Sequence, residues 1–231
     1  MNGKSFLCTI PCGVLGCIVF LLMLAAVPLV HAASLWTGPV IIYNQPSPDP
    51  AQASNQDRIT PDVWLTRASS KGLFNAFFET NATALSPTNT EWAFGTLTNY
   101  ASLHYTNWLA WLNGASPTTL VGQQVVLHLI SDDIYLSLQI TLWNSGGSGG
   151  FAYQRSTPAP ASLSRADINN GQFTFTYGTD AGFSYVVQSS TNLLNWVPVV
   201  TNTASGSSVM FSNSVDSTGI EFYRVGRLPN P

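Results

Sequence analysis

Charged side chains are scarce in this sequence. Of 231 residues, 8 are Lys or Arg and 11 are Asp or Glu, so charged residues make up 8% of the chain and the formal net charge is −3. Soluble proteins ordinarily carry about 25% charged residues. So few cations cannot form a nucleic-acid-binding surface, and a hydrophobic content of 45% excludes an intrinsically disordered chain. We therefore predict a folded protein without a nucleic-acid partner.

Segment 1–32 has the pattern of a signal peptide. Lys4 precedes an uncharged apolar stretch at 13–30, and small or short residues at 30–32 resemble a signal-peptidase site. We predict cleavage after Ala32. The alternative is an uncleaved anchor, because eighteen apolar residues fall only slightly short of the about 20 that span a bilayer.

Cysteine is absent beyond this segment. The three cysteines are Cys8, Cys12 and Cys17. The mature chain therefore has no disulfide, thiolate metal ligand or cysteine nucleophile, although export permits disulfides. We expect a secreted or extracytoplasmic protein, in the periplasm or at the cell surface, with no membrane association after cleavage. Its fold then depends on packing alone.

Long amphipathic helical patterns are also missing, and strand patterns take their place. From Ile134 to Trp143 aliphatic residues occupy every second position, which predicts a half-buried antiparallel strand with Tyr135 and Trp143 on its polar face. Further strands are predicted at 40–43, 63–67, 73–79, 91–97, 125–129 and 151–155. Only 107–113 has helical spacing, and we predict one or two helical turns there.

Segment 157–163 is rich in Pro, Ala and Ser, and this composition predicts a linker between two modules. Five short strand patterns follow it, at 172–177, 183–190, 196–200, 208–211 and 220–225. We predict an all-β fold with a jelly-roll-like β-sandwich at 33–156 and a small immunoglobulin-like β-sandwich at 164–231. A module of about 70 residues without disulfides has a marginal core, so we expect the second to pack on the first.

Two parts of the sequence resemble known secreted modules. The string VLHLISDDIY at 126–135, with GGFAYQRST at 149–157, resembles a domain of mostly uncharacterised secreted bacterial proteins of verrucomicrobial or planctomycete type. The strings YVVQSST at 185–191 and FYRV at 222–225 resemble those of an immunoglobulin- or fibronectin-III-like module that is usually found at the C-terminus of large exported proteins. The resemblance implies an extracytoplasmic location and a β architecture, and it supplies no catalytic residue.

Catalytic patterns are weak. Ser148 lies in a glycine loop with no helix after it, unlike the nucleophile of a serine hydrolase. His128 stands between two leucines of a strand, and we expect a structural histidine bonded to a neighbouring strand. Glu79 and Glu91 are the weak catalytic candidates, because glycosidases use paired carboxylates and both residues lie near predicted strand ends.

Asp132 and Asp133 form the most notable acidic pair. With Asp57 or Asp62 they are weak candidates for a structural Ca²⁺ site, which needs several oxygen ligands. The alternative is a hairpin turn in which the aspartates bond their own backbone. We expect no other cofactor.

Aromatic residues make up 12% of the chain. Exposed rings can stack on sugars, and the candidate ligand-binding residues are Tyr135, Trp143, Trp108 and Trp111, with core packing as the alternative. The leading hypothesis is a secreted, non-catalytic recognition, adhesion or cell-surface structural protein whose partner is an extracellular glycan or a cell-surface protein. The alternatives are a glycan-binding module that uses the exposed aromatics and a polysaccharide hydrolase that uses paired carboxylates.

Overall fold

The computed structural model describes residues 33–70, 72–215 and 219–228, and the predicted signal peptide with its cysteines lies outside them. The predicted all-β class is confirmed, because strands dominate the described residues. These strands are β1 (Ser34–Trp36), β2 (Val40–Gln45), β3 (Asp57–Thr60), β4 (Val63–Arg67), β5 (Leu73–Asn75), β6 (Thr90–Phe94), β7 (Val125–Leu129), β8 (Ile134–Trp143), β9 (Phe151–Ser156), β10 (Leu163–Asn169), β11 (Gln172–Gly178), β12 (Ser184–Ser190), β13 (Val197–Thr203), β14 (Ser208–Ser214) and β15 (Phe222–Leu228). The α-helix α1 spans Trp108–Leu112, and short 3₁₀ helices lie at Ala53–Asn55, Leu97–Ser102 and Pro117–Leu120.

The largest sheet is built around β8. Its antiparallel order is β2-β9-β8-β7-β6, and β1 pairs in parallel with the first three residues of β8. β9 pairs with residues 138–143 of β8. β1 and β9 therefore lie one after the other along the same side of this ten-residue strand. The alternating side chains Ile134, Leu136, Leu138 and Ile140 are buried, as period-two patterning predicts for a sheet with one face on the core.

A second sheet, β3-β4-β5, contributes to the same core. Ile59, Val63 and Leu65 are buried in one cluster with Trp92 and Leu127 of the large sheet. This contact between the apolar sides of two sheets forms the core of the N-terminal part of the chain, residues 33–156.

The predicted strand at 73–79 is wrong in its second half, because β5 ends at Asn75. The buried Asn75 side chain accepts hydrogen bonds from the backbone N–H groups of Trp64 and Phe77 and donates to the carbonyl oxygens of Asp62 and Thr88. An asparagine that satisfies so many backbone groups favours a turn over a continuing strand.

The helical turns predicted at 107–113 are confirmed. Asn107 Oδ1 accepts a hydrogen bond of 2.9 Å from the N–H of Ala110 and so caps α1, while Asn113 ends the helix in the left-handed region at φ 48°. Just before the helix, Thr106 forms a single antiparallel bridge with Trp92 of β6.

The C-terminal part, residues 163–228, contains two three-stranded antiparallel sheets, β10-β11-β14 and β13-β12-β15. Aromatic side chains join them: the rings of Phe173 and Tyr223 have centroids 5.2 Å apart, and those of Tyr177 and Tyr185 are 6.0 Å apart. Strand β10 was not expected from the sequence, and it begins at Leu163, where we had placed the end of the linker. The jelly-roll and immunoglobulin-like topologies stay predictions.

The described residues of both parts belong to one compact unit. Trp36 of β1 and Arg227 of β15 are in contact, with the guanidinium carbon 4.6 Å from the indole centroid. In the part of the chain that the structure describes, no helix is long and apolar enough to cross a membrane.

Candidate functional site

The polar face of strands β6, β7 and β8 carries a cluster of histidine, tyrosine and carboxylate side chains. We call it the His128 cluster, and its members are Glu91, Tyr100, Tyr105, His128, Asp133 and Tyr135. The strand register creates its centre, because His128 pairs with Glu91 on β6 and with Tyr135 on β8. Directly opposed residues of antiparallel strands point to the same face and lie side by side.

His128 lies between two carboxylates. Its Nδ1 is 3.6 Å from Glu91 Oε2, and its Nε2 is 3.3 Å from Asp133 Oδ1. Asp133 has a φ of 49°, a left-handed conformation that aspartate tolerates better than most residues, and it closes the turn between β7 and β8. The turn therefore brings the Asp133 carboxylate back to the histidine of the preceding strand.

The imidazole of His128 stacks on the ring of Tyr135. The two rings are parallel within 4°, with centroids 4.2 Å apart. The tyrosine face and the two carboxylates together position the imidazole. The histidine is thus held in one orientation by four neighbouring contacts, including the edge of Tyr105 at 5.8 Å.

Tyr100 and Tyr105 extend the aromatic surface around Tyr135. Their ring centroids lie 4.8 Å and 5.5 Å from that of Tyr135, and all three tyrosines are partly exposed. Burial raises the pKa of Tyr105 to about 12, and burial together with the Asp133 carboxylate raises the pKa of Tyr135. Both phenols are therefore neutral at physiological pH, and the Tyr105 hydroxyl donates to the Tyr100 carbonyl oxygen at 3.0 Å.

The cluster combines groups that suit a neutral, hydroxyl-rich ligand. The carboxylates of Glu91 and Asp133 are more than one-third exposed and can accept hydrogen bonds from hydroxyl groups. The rings of Tyr100, Tyr105 and Tyr135 offer apolar surface beside them. The arrangement favours binding through stacking and hydrogen bonds.

Two predicted catalytic residues, Glu79 and Glu91, have different partners. The Glu79 carboxylate accepts hydrogen bonds from Asn75 N–H, Ser86 Oγ and Thr88 N–H, and so it holds the loop after β5. Glu91 faces His128 instead. Glu79 and Glu91 therefore have separate structural partners. Glycoside hydrolysis instead requires two carboxylates that flank one scissile bond.

Of the two readings of Trp108, Trp111 and Trp143, the structure supports core packing and not an exposed aromatic face. Their exposed fractions are 4%, 8% and 9%, so all three lie in the core. For Trp143 the cause is a β-bulge between Ile140 and Leu142, which inserts one extra residue into β8 relative to β9. The bulge reverses the alternation, so Leu142 is 44% exposed and Trp143 points inward, where the Arg67 guanidinium covers its ring at 3.9 Å.

The candidate calcium ligands Asp57, Asp132 and Asp133 also have separate surroundings. Asp57 is buried in an ion pair with Arg155, and Asp133 faces His128. Burial and the neighbouring Asp62 carboxylate raise the pKa of Asp132 to about 6. Among the described residues, no group of three or more His, Cys, Asp and Glu side chains could hold a metal ion.

Sequence reasoning named members of the His128 cluster without predicting that they meet. It named Glu91, Asp133 and Tyr135 for three different roles, treated His128 as structural, and did not single out Tyr100 or Tyr105. One signal was available: if 131–132 turns the chain, hairpin pairing places position 128 opposite position 135. The approach of Tyr100 and Tyr105 has no comparable local signal.

No protein-family model matches the chain, and neither a curated protein nor a solved structure does.

Proposed function

We propose that this protein is an exported, non-catalytic recognition protein that binds an extracellular glycan through the His128 cluster. The observation that carries the proposal is the convergence on one sheet face of partly exposed rings and two carboxylates around His128. The signal-peptide pattern of segment 1–32 supports the extracytoplasmic location.

Sugar rings present a C–H face and a set of hydroxyl groups, and the His128 cluster matches both. The tyrosine rings provide apolar surface for the C–H face, and Glu91 and Asp133 accept hydrogen bonds from hydroxyls. The raised pKa values of Tyr105 and Tyr135 favour neutral phenols, whose oxygens accept hydrogen bonds from hydroxyl groups of the ligand. A neutral saccharide suits these groups better than an anion, because two carboxylates border the cluster.

The position of His128 argues against a hydrolase at the same surface. Its imidazole lies between the Glu91 and Asp133 carboxylates, at 3.6 Å and 3.3 Å from them. A glycosidase needs the space between its two carboxylates for the scissile bond and, in inverting enzymes, for a water molecule. This pair therefore serves to orient the histidine and contact a ligand.

A glycan array followed by calorimetry on the best hit tests the proposal. Tyr135→Ala should weaken binding roughly tenfold, since one aromatic contact contributes about 0.5–1.5 kcal/mol beyond its buried area. Tyr135→Phe keeps the ring and should lose much less. The control is Phe78→Ala, which removes an exposed ring elsewhere on the surface and should leave affinity unchanged. Wild-type protein that binds no glycan, or equal losses in Tyr135→Ala and Phe78→Ala, would refute the proposal.

A further inference from the structure

A row of uncharged side chains crosses the large sheet on the same face as the His128 cluster. Gln139 of β8 pairs with Gln154 of β9, and Gln154 pairs with Ile42 of β2. These side chains lie side by side, because directly opposed residues of neighbouring strands point to the same face. Gln124, immediately before β7, lines the same shallow groove as Gln139 and Gln154. We call Ile42, Gln124, Gln139 and Gln154 the glutamine row.

The glutamine row is aligned with the His128 cluster along β8. Tyr135, Ser137 and Gln139 occupy alternate positions of this strand before its bulge, and all three are partly exposed while the residues between them are buried. They therefore share one face, and at about 3.4 Å per residue Gln139 lies about 14 Å from Tyr135. Ser137, which lies between them on the strand, also lines the groove.

The 3₁₀ segment Leu97–Ser102 borders both the cluster and the groove. The ring of Tyr100 contacts that of Tyr135, with centroids 4.8 Å apart, and Leu97 lines the groove together with Gln139. The groove has a volume of about 170 Å³, which is below the range of pockets that enclose a whole small molecule. A ligand that occupies it therefore extends beyond it.

The groove offers hydrogen-bonding groups without an exposed charge. Gln154 Nε2 donates to Gln139 Oε1 at 2.6 Å, and Gln139 Nε2 donates to the Gly122 carbonyl oxygen at 2.7 Å. Both glutamines are partly exposed, and each amide keeps a second hydrogen and a second lone pair for a ligand. Among the described residues that line the groove, Arg155 alone is ionisable, and its side chain is 1% exposed and bound to Asp57. These surroundings match a ligand with hydroxyl groups and no charge.

We propose that the His128 cluster and the glutamine row together bind one linear, neutral polysaccharide that runs along β8. The inference rests on the proposed function and names its ligand class, a polysaccharide chain in place of a single terminal sugar. The tyrosines contact the C–H face of one sugar unit, and the amides of the glutamine row bind hydroxyl groups of another unit about 14 Å away. Ile42 is 77% exposed and adds apolar surface beside the amides.

A length series of oligosaccharides tests the inference. The probes are the monomers, tetramers and hexamers of the cello-, malto- and xylo-oligosaccharide series, with tetragalacturonate as the charged counterpart of the tetramers. In at least one neutral series the tetramer should bind tenfold or more tightly than the monomer, because each added hydrogen bond contributes a factor of about five. The NMR resonances of the Gln139 and Gln154 side-chain amides should shift with the tetramer and not with the monomer.

Variants separate the two parts of the site. Gln139→Ala should lower the ratio of tetramer to monomer affinity roughly fivefold, because it removes hydrogen bonds that the longer ligand alone makes. Gln124→Ala, at an exposed position, should lower the same ratio by roughly two- to fivefold and serves if Gln139→Ala does not fold. Tyr135→Ala should weaken both lengths and keep their ratio. Gln172→Ala is the matched control, since it removes an exposed glutamine of β11 that does not line the groove.

The inference and the proposed function fail in different ways. The inference is overturned if affinity does not increase from monomer to tetramer in any neutral series, or if Gln139→Ala and Gln124→Ala keep the wild-type ratio. A loss of binding in Tyr135→Ala would then still support the His128 cluster as a glycan site. Equal affinity for tetragalacturonate and the best neutral tetramer contradicts the neutral class. A wild-type protein that binds no glycan refutes the proposed function itself, and the inference with it.

Discussion

Replacing Arg155 with methionine tests how far this disulfide-free core depends on one buried ion pair. Arg155 is 1% exposed, and its Nε and Nη2 donate to the two oxygens of Asp57 at 2.7 Å and 2.9 Å. The Tyr153 hydroxyl donates to the same carboxylate at 2.6 Å. The pair links β3 of one sheet to β9 of the other, so it lies across the contact between the two sheets.

Arg155→Met fills a similar volume but leaves the Asp57 charge buried with Tyr153 as its remaining side-chain partner. Breaking one side of a buried ion pair costs roughly 3–5 kcal/mol of unfolding free energy. For a chain of this size the melting temperature should fall by roughly 6–20 °C. Tryptophan fluorescence during guanidinium denaturation, together with thermal circular dichroism, measures both quantities on the chain from residue 33 onward.

The double variant Asp57→Leu, Arg155→Met distinguishes an orphaned charge from lost packing. Because it removes both charges, it should be more stable than Arg155→Met alone. The control Arg58→Met removes an exposed arginine that covers Trp64, and it should change stability by no more than about 0.5 kcal/mol. A loss below about 1 kcal/mol in Arg155→Met would refute the reasoning, as would a double variant whose loss equals the sum of the two single losses.

Three further stability predictions follow from local geometry. The pKa of Asp132 is raised from 3.8 to about 6, so the folded state binds this proton more tightly than the unfolded state and loses stability as the pH rises through that interval. Asp132→Asn should therefore be more stable than wild type by roughly 1 kcal/mol at pH 7, after allowance for partial exposure of the carboxylate. Urea titrations should show this gain at pH 7 and no gain near pH 4. Asn107→Ala should cost about 1 kcal/mol by urea titration because it removes the cap of α1, and an unchanged midpoint would contradict this. Gly149→Ala should destabilise the protein by roughly 2 kcal/mol or more, because φ is +69° and the new Cβ would lie 2.5 Å from Pro48 Cβ. Gly146→Ala should cost less, because Gly146 has a similar φ of +75° but open space around it. Equal melting temperatures for the two variants would contradict the steric argument.

Much of the secondary structure could be predicted from local patterns. The hairpin of β7 and β8 follows from alternation on both sides of an Asp-Asp turn, and α1 follows from helical spacing between Asn107 and Gly114. The prediction was wrong where local chemistry interrupts a pattern. At 73–79 the Asn75 side chain ends the strand, and at Thr141 the bulge reverses which side chains face the core.

The bulge also explains why Tyr135 and Trp143, both predicted on the polar face of β8, lie on opposite faces. Tyr135 lies before the bulge and stays on the polar face, whereas Trp143 lies after it and is buried. The extra residue is visible only in the pairing of β8 with β9, since ten alternating residues look identical with or without it.

The sequence by itself determined that this protein is an all-β fold with few charges, because strand periodicity and turn chemistry depend on neighbouring residues. Only the tertiary structure decided which distant side chains meet: Asp57 pairs with Arg155, 98 positions away, and Trp36 contacts Arg227. The tertiary structure also places the rings of Tyr100 and Tyr105 in contact with that of Tyr135. Such contacts depend on strand register and on the packing of one sheet against another, and these are collective properties that no local pattern encodes.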